Sequence, residues 1–304
     1  MSTRKRFREL IARGRLVPMP GAYDALSAKI MEAEGFEAII AGGYAAIGSM
    51  MGQADMGQCN VRDYADHYAR ICAAVNIPVY VDGDTGFGGV NNVREMVRAF
   101  EAAGVAGLFF SDQVFPNRCG YLPGKQIVPV EQMLARVRAA LDARRDPDLL
   151  IVARTDAAGV EGVDAAIARC RSFMAAGADA AKPQGIDAIA DIRRVISEVP
   201  GPHFATISQA AGPKHRSLAE LEEAGVATVS FPSVALFAAA HAVRQVVASL
   251  KRDNSLAAAG DALMSLPDYY ALVGLPAMME REESYDRAAA ALAKPTGAKP
   301  LAAE

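Results

Sequence analysis

Residues 101–110 have the sequence EAAGVAGLFF, in which the end of an amphipathic helix, a glycine and an apolar strand follow one another directly. Glycine supplies the left-handed conformation that closes a helix, so the chain can enter a strand at once. The same order recurs in EAEGFEAII (32–40), MAAGADAA (174–181) and EEAGVATVSF (222–231). A repeated helix-to-strand turn indicates repeated βα units rather than a block of strands followed by helices.

Short apolar runs alternate with longer amphipathic stretches as far as residue 251. This alternation predicts eight strands, at 16–20, 36–41, 77–82, 105–111, 149–154, 178–183, 203–208 and 226–231. It predicts helices at 23–35, 61–75, 90–104, 130–145, 161–176, 187–198, 217–224 and 233–251. PGAYD after the first strand does not match the GxGxxG loop that an open doubly wound sheet would carry. We therefore predict an α/β fold, a (β/α)8 TIM barrel.

The chain has 304 residues, enough for one such barrel of about 250 residues but not for a second full domain. We place residues 1–285 in a single barrel domain, with extra C-terminal helices over 254–285. Residues 286–304, rich in Ala, Lys and Pro, are expected to form a flexible tail.

Composition limits the classes of partner. The formal net charge is −3 and the pI about 5.9, which argues against nucleic-acid binding. The basic N-terminal stretch lacks the apolar core of a secretory signal, and we expect no run of about 18 apolar residues that could span a membrane. The four cysteines have neither zinc-site nor disulfide spacing. We expect a cytoplasmic metabolic protein.

Carboxylates cluster after the third and fourth predicted strands. Asp82 and Asp84 end an apolar strand two residues apart, so they should point the same way and repel one another unless a cation lies between them. Oxygen ligands without His or thiolate favour Mg²⁺, with Mn²⁺ as the alternative. The competing interpretation is that both aspartates only cap the next turn. Asp55 and Asp112 are candidates to hold metal-bound water.

Three further features fit an anionic substrate. Arg154 at the end of the fifth strand could bind a carboxylate through two hydrogen bonds, or form an ion pair with a neighbouring aspartate. Gly42 and Gly43 let backbone N–H groups approach a ligand, unless they form a plain turn. Cys119 lies in a long loop that could act as a lid, and beside Arg118 and Lys125 its thiol could be an acid or base; an incidental exposed thiol is the alternative.

The segments PGAYDALSA, VDGDTGFGG, DQVFPNRCGYLPGK and ARTDA together resemble the isocitrate lyase/phosphoenolpyruvate mutase superfamily, in particular its methylisocitrate lyase-like branch. The match runs in order from about residue 10 to 285. It implies a (β/α)8 barrel, often with a helix swapped between the subunits of a dimer, and a homotetramer. It also implies that Asp82 and Asp84 bind the metal and that Cys119 and Arg154 are catalytic. The remaining substrate-binding candidates are Gly42, Gly43, Tyr44, Asp55, Gly120, Tyr121, Gln184, Thr206 and Ser208, with Arg154 serving here too.

The chain also departs from the family pattern. The lid contains Asn117-Arg118-Cys119-Gly120-Tyr121 where KKCGH or KRCGH is common, and Ser111 replaces a Glu. Gln184 replaces a Glu and Thr206 an Asn. With the Lys and His of the lid gone, we expect a smaller or less charged substrate than a tricarboxylate.

The predicted function is a Mg²⁺-dependent carbon–carbon lyase that cleaves a small 2-hydroxy di- or tricarboxylate, similar to methylisocitrate or dimethylmalate, to an oxo acid. In the family, Mg²⁺ stabilises the enolate that cleavage leaves, and Cys119 would protonate it. The alternatives are oxaloacetate hydrolysis or decarboxylation, phosphonopyruvate hydrolysis or a phosphonomutase reaction, and an oxo-acid-binding barrel without catalysis. The expected partners are a small carboxylate and further copies of the chain, with no nucleic acid or membrane.

Overall fold

Eight parallel strands form the centre of the protein in a computed structural model that describes residues 1–120, 122–208 and 217–293. They are β1 (Val17–Pro20), β2 (Ile39–Ala41), β3 (Val79–Asp82), β4 (Gly107–Ser111), β5 (Leu150–Thr155), β6 (Ala180–Pro183), β7 (Phe204–Thr206) and β8 (Thr228–Phe231). All eight lie within the strands predicted from sequence, apart from Thr155, which extends β5 by one residue.

Hydrogen bonding closes these strands into a barrel. One group has the order β2-β3-β4-β5-β6 and the other β1-β8-β7, with parallel pairing throughout. Two isolated parallel bridges, Gly21 to Ile40 and Ala181 to His203, join β1 to β2 and β6 to β7. The strands therefore follow one another around the barrel in chain order, and the predicted (β/α)8 architecture is confirmed.

The helices are α1 (Thr3–Ala12), α2 (Ala25–Ala33), α3 (Gly43–Met51), α4 (Val61–Ala74), α5 (Val90–Ala102), α6 (Val130–Ala143), α7 (Val163–Ala175), α8 (Ile189–Glu198), α9 (Leu218–Glu223), α10 (Val234–Asp253), α11 (Leu266–Val273) and α12 (Leu275–Leu292). The glycines of the recurring turn, Gly35, Gly104, Gly177 and Gly225, all have φ between 84° and 99°. This is the left-handed conformation that the sequence predicts for a helix end. Of these helices, α1 and α3 were not predicted.

Helix α1 closes the N-terminal end of the barrel. Its side chains Phe7 and Leu10 are buried in the same apolar cluster as Tyr80, Phe109 and Val152 from the strands. The ring centroids of Phe7 and Tyr80 lie 5.9 Å apart. That end of the barrel is packed by aromatic side chains, whereas the polar residues cluster at the carboxyl ends of the strands, the end at which such barrels bind ligands.

The chain divides into two units, residues 1–244 and 245–304. The first contains the barrel and residues 234–244 of α10; the second contains residues 245–253 of α10, followed by α11 and α12. The single domain over 1–285 stays a prediction. Helix α12 also continues to Leu292, past the predicted start of the tail at 286, because DRAAAAL consists mostly of strong helix formers. Residues 294–304 of that predicted tail lie outside the described residues.

Helix α10 corrects a second expectation. An 18-residue window of this 20-residue helix has a mean hydropathy of 1.2, so by length and composition it could cross a membrane, contrary to the prediction that no such segment exists. Arg244 and Gln245 lie near its middle, however, and a charged side chain at the centre of a bilayer is costly. We interpret α10 as a helix with an apolar face rather than as a membrane anchor.

Candidate active site

A cavity of about 70 Å³ lies at the carboxyl ends of the strands. Eleven residues predicted from sequence line it: Gly42, Gly43, Tyr44, Asp55, Asp82, Cys119, Gly120, Arg154, Gln184, Thr206 and Ser208. Tyr121, also predicted, lies outside the described residues. Side chains far apart in the chain thus meet in one place, because each follows a different strand of the barrel.

Asp82 is the carboxylate that β3 delivers to this cavity. Its Oδ1 accepts a hydrogen bond from the Asp84 backbone N–H at 2.9 Å, and its Oδ2 accepts one from the Gly43 N–H at 3.3 Å. Gly43 therefore donates its helix-start N–H to a protein carboxylate. The Tyr68 hydroxyl donates to the Asp82 carbonyl at 2.9 Å and holds the end of the strand in place.

Asp84 does not line the cavity. The strand ends at Asp82, and Asp84 has a φ of 57°, so the predicted two-residue alternation of a strand does not apply to this pair. Asp84 is buried, 3% exposed, and neither of its carboxylate oxygens accepts a hydrogen bond of acceptable geometry, although Asn117 approaches them. The predicted pair is thus one carboxylate in the cavity wall and one buried behind it.

The electrostatics of these carboxylates favour a cation. Burial, and then the charges of Asp82 and Asp55, raise the pKa of Asp84 well above its ordinary value. Burial and the charge of Asp82 raise the pKa of Asp55 to about 6. Among the residues described, no group of three or more His, Cys, Asp or Glu side chains is arranged to hold a metal ion. The unsatisfied oxygens of Asp84 behind Asp82 fit a hard cation with few protein ligands and a shell of water.

Arg154 is held by an aspartate, as one of the two interpretations of the sequence anticipated. Its guanidinium makes two hydrogen bonds to the buried carboxylate of Asp156. Lys125 from the loop also donates to Asp156, at 3.0 Å. Arg154 also borders the cavity.

Asp112 belongs to a buried hydrogen-bond network. It does not lie at the cavity, where it was predicted to hold metal-bound water. It is fully buried and does not line the cavity. Its carboxylate accepts hydrogen bonds from the Thr155 hydroxyl at 2.6 Å and the Asp156 N–H at 2.9 Å, and Arg169 lies 3.3 Å away. Asp112 therefore positions the backbone that carries Asp156, and through it Arg154.

The loop between β4 and α6 contributes Asn117, Arg118, Cys119 and Gly120 to the cavity lining, and its role as a lid stays a prediction. The buried amide of Gln113 anchors it by accepting from the Arg118 N–H at 3.1 Å and donating to the Arg118 carbonyl at 3.0 Å. Gly120 lies directly against the guanidinium, since a Cβ there would be 2.5 Å from Arg154 Nη2. Cys119, half-buried, borders the cavity between these anchors.

Polar residues after β6, in β7 and after β7 also line the cavity. The backbone N–H of Gln184 donates to the Thr155 carbonyl at 2.8 Å, and Gln184 lines the cavity. Thr206 shares a hydrogen bond of 3.1 Å with Ser230. Ser208 is buried and also borders the cavity. These side chains offer neutral donors and acceptors where the related sequences were expected to carry Glu and Asn.

Several site residues were missed at the sequence level. Lys182, Phe109 and Phe237 line the cavity, and Asp156 orients Arg154. Lys182 had a visible signal, a single lysine in the otherwise apolar strand AAKP. Asp156 lies in the ARTDA motif, two residues after Arg154. The phenylalanines gave no local signal, since apolar residues are expected in any strand or helix.

Comparison with known proteins identifies the family. Residues 7–251 match the phosphoenolpyruvate phosphomutase family model. The chain is 34% identical to the 2,3-dimethylmalate lyase of Eubacterium barkeri over 285 residues, 94% of this chain and 99% of that protein.

Solved structures agree with this assignment. A structure of oxaloacetate acetylhydrolase with the inhibitor 3,3-difluorooxalacetate has a TM-score of 0.89 at 27% identity, covering 94% of this chain and 97% of that one. Phosphonopyruvate hydrolase in complex with oxalate and Mg²⁺ has a TM-score of 0.84 at 28% identity, covering 94% and 99%. The predicted superfamily and the predicted enzyme class, a lyase, are confirmed. The chain belongs to the phosphoenolpyruvate phosphomutase family.

Proposed function

We propose that this protein is a Mg²⁺-dependent carbon–carbon lyase that cleaves a small 2-hydroxy dicarboxylate and releases a 2-oxo acid. The observation that carries the proposal is that one cavity is lined by the carboxylates Asp55 and Asp82 together with Arg154 and the Cys119 thiol. The curated relative cited above is a lyase of 2,3-dimethylmalate, which is a substrate of this class.

Asp82 would hold the metal ion directly, because it is the carboxylate of the pair that borders the cavity. Asp84, buried behind it with two unsatisfied oxygens, would bind the ion through water. When bound, Mg²⁺ supplies positive charge to the carboxylate and to the oxygen on which negative charge develops. Mn²⁺ would serve the same purpose, since it takes the same oxygen ligands.

The chain's own side chains account for the other requirements. Arg154, fixed by Asp156, orients the substrate carboxylate, and Gly43 holds Asp82 in place. In the cleavage, the Asp55 carboxylate in the cavity wall would take the substrate hydroxyl proton, the adjacent carbon–carbon bond would break, and an oxo acid and the enolate of a second acid would remain. Cys119 lies in the lid at the cavity and would donate the proton that neutralises that carbon.

Cavity size favours the small end of the substrate range. A volume of about 70 Å³ is small for a tricarboxylate. It also supports oxaloacetate hydrolysis as a second candidate, since a structurally similar protein is an oxaloacetate acetylhydrolase.

The test is a panel of 2-hydroxy di- and tricarboxylates, oxaloacetate and phosphonopyruvate, each incubated with Mg²⁺ and analysed for products by mass spectrometry. We expect a dicarboxylate to yield an oxo acid, and Cys119→Ser to lower kcat. The control is Cys72→Ser in α4, outside the cavity. Oxalate and acetate from oxaloacetate would favour the second candidate, and phosphate release would favour phosphonate chemistry. Ligand binding without any turnover would contradict an enzymatic role.

We further propose that the protein acts in the cytoplasm as a dimer or tetramer assembled through its C-terminal helices. Apolar side chains are exposed there in the single chain: Val243, Val247, Leu250, Met278, Met279 and Tyr285. Such a set is typical of a surface that a second copy covers. Sedimentation velocity on the purified chain tests this, and a monomer at micromolar concentration would contradict it.

A further inference from the structure

Lys182 is a buried cation in the floor of the cavity. It lies on β6, is 3% exposed and borders the cavity. Its Nζ is 4.1 Å from the centroid of the Phe109 ring. Within residues 1–120, 122–208 and 217–293, this Nζ has no hydrogen bond to another side chain or to the backbone, so its N–H groups are available to whatever occupies the cavity.

The neighbouring charges do not satisfy this ammonium group. Arg154 repels it, while Asp82 and Asp156 attract it from beyond hydrogen-bond distance. The carboxylate of Asp156 is already taken by Arg154 and Lys125. Burial, and then the charge of Arg154, lower the pKa of Lys182 to about 7, which is the expected consequence of desolvation without a bonded partner.

Packing does not explain a lysine at this position. A buried ammonium without a hydrogen-bonded partner destabilises a protein relative to an apolar side chain of similar length. The contact with Phe109 offsets only part of that cost. The Lys182 ammonium lines the cavity and lacks a hydrogen-bonded partner among the described residues, so a bound anion can supply that partner.

We propose that Lys182 donates hydrogen bonds from the cavity floor to an anionic oxygen of the substrate and determines the preference for acids with a second negative group. Arg154 and Lys182 then hold different parts of the same anion, with Arg154 fixed in place and Lys182 free to bond. The identity of that anion as an oxo or hydroxy acid rests on the proposed function; the recognition of an anion by Lys182 does not.

Lys182→Met tests this, since methionine keeps a long unbranched side chain and removes the charge. Titration calorimetry would measure the binding of sodium oxalate to the full chain with and without Mg²⁺, and of Mg²⁺ alone. The matched control is Lys5→Met, which removes a lysine exposed on α1. Thermal denaturation of each protein shows whether it is folded.

We expect Lys182→Met to weaken oxalate binding by roughly ten- to a hundredfold, the range for a hydrogen bond from a charged donor. The variant should bind Mg²⁺ at least as tightly as the wild type, because a positive charge near Asp82 has been removed. Its melting temperature should be equal or higher. If Lys182 had only a structural role, Lys182→Met would weaken the binding of oxalate and of Mg²⁺ together and would lower the melting temperature.

The proposal is overturned if Lys182→Met binds oxalate within twofold of the wild type, if it loses oxalate and Mg²⁺ affinity equally, or if the wild type binds no oxalate in either condition. Failure of the proposed function looks different. In that case the wild type fails to bind Mg²⁺ or to turn over any acid, while metal-free oxalate binding still depends on Lys182.

Discussion

The guanidinium of Arg154 binds the carboxylate of Asp156 through two hydrogen bonds, Nε to Oδ2 at 2.9 Å and Nη2 to Oδ1 at 3.0 Å. Both side chains are almost fully buried, and Lys125 reaches the same carboxylate from the lid. Burial alone would raise the pKa of Asp156, but the charges and hydrogen bonds of Arg154 and Lys125 outweigh burial and lower it. One carboxylate thus joins the substrate-facing arginine to the loop that covers it.

Asp156→Asn should both destabilise the protein and weaken substrate binding. Removing one partner of a buried ion pair leaves uncompensated charge, so we expect the free energy of unfolding to fall by about 3 kcal/mol. KM should rise because Arg154 loses its fixed orientation. Urea unfolding and steady-state kinetics measure the two effects. Asp164→Asn is the control, because the pair of Asp164 with Arg194 is exposed and should contribute little.

Asp84→Asn should stabilise the metal-free protein and abolish its response to Mg²⁺. The substitution removes a buried charge that Asp82 repels, and asparagine tolerates the left-handed backbone at this position. We expect a gain of about 2 kcal/mol in EDTA, from relief of an unsatisfied buried carboxylate. In the wild type, Mg²⁺ should raise the melting temperature.

Thermal denaturation with and without Mg²⁺ checks this prediction. Asp66→Asn on the exposed side of α4 is the control and should change neither value. A variant that is less stable than the wild type in EDTA would show that the Asp84 carboxylate is paired within the metal-free protein, and would contradict its role in binding a cation.

Gly43→Ala should lower kcat/KM by about ten- to a hundredfold, the loss expected when a site is displaced by around 1 Å. A Cβ at Gly43 would lie 2.9 Å from the Tyr64 hydroxyl and 3.3 Å from Asp82 Oδ2, so the start of α3 or the carboxylate must move. Gly89→Ala is the matched control, since a Cβ there meets nothing within 4 Å. Equal activity of the two variants would show that the position of Asp82 tolerates this shift.

His203 should make the protein less stable in mild acid. Burial lowers the pKa of His203 from 6.5 to about 4, so between these values the unfolded chain binds a proton that the folded protein does not. The contribution of His203 to the free energy of unfolding is complete above pH 6.5 and is lost as the pH falls to 4. The total loss is about 3 kcal/mol, at 1.36 kcal/mol per pH unit.

Urea unfolding at pH 7, 5.5 and 4.5 measures this dependence. His203→Gln should flatten the loss relative to the wild type, whereas His241→Gln, at an exposed position of α10, should leave it unchanged. Parallel pH profiles for wild type and His203→Gln would mean that His203 is protonated in the folded protein as readily as in the unfolded one.

Local patterns in the chain were sufficient to predict the barrel and most of the residues around its cavity. Helix-ending glycines such as Gly104 act within their own turn, and apolar runs reveal strands without reference to the rest of the molecule. Once eight βα units are recognised, the side chains that follow each strand must meet at one end. Cys119, Arg154 and Gln184 could be placed together on that basis.

Which side chains are buried, and which charges are paired, could be determined only from the tertiary structure. Whether Asp84 faces the cavity depends on a left-handed residue after β3, and whether Arg154 is free depends on how Asp156 is held by β4 and the lid. Lys182 lies against Phe109 because β6 and β4 both contribute to the barrel floor. Such contacts join residues that are distant in the chain, and sequence spacing carries no measure of the distance between them.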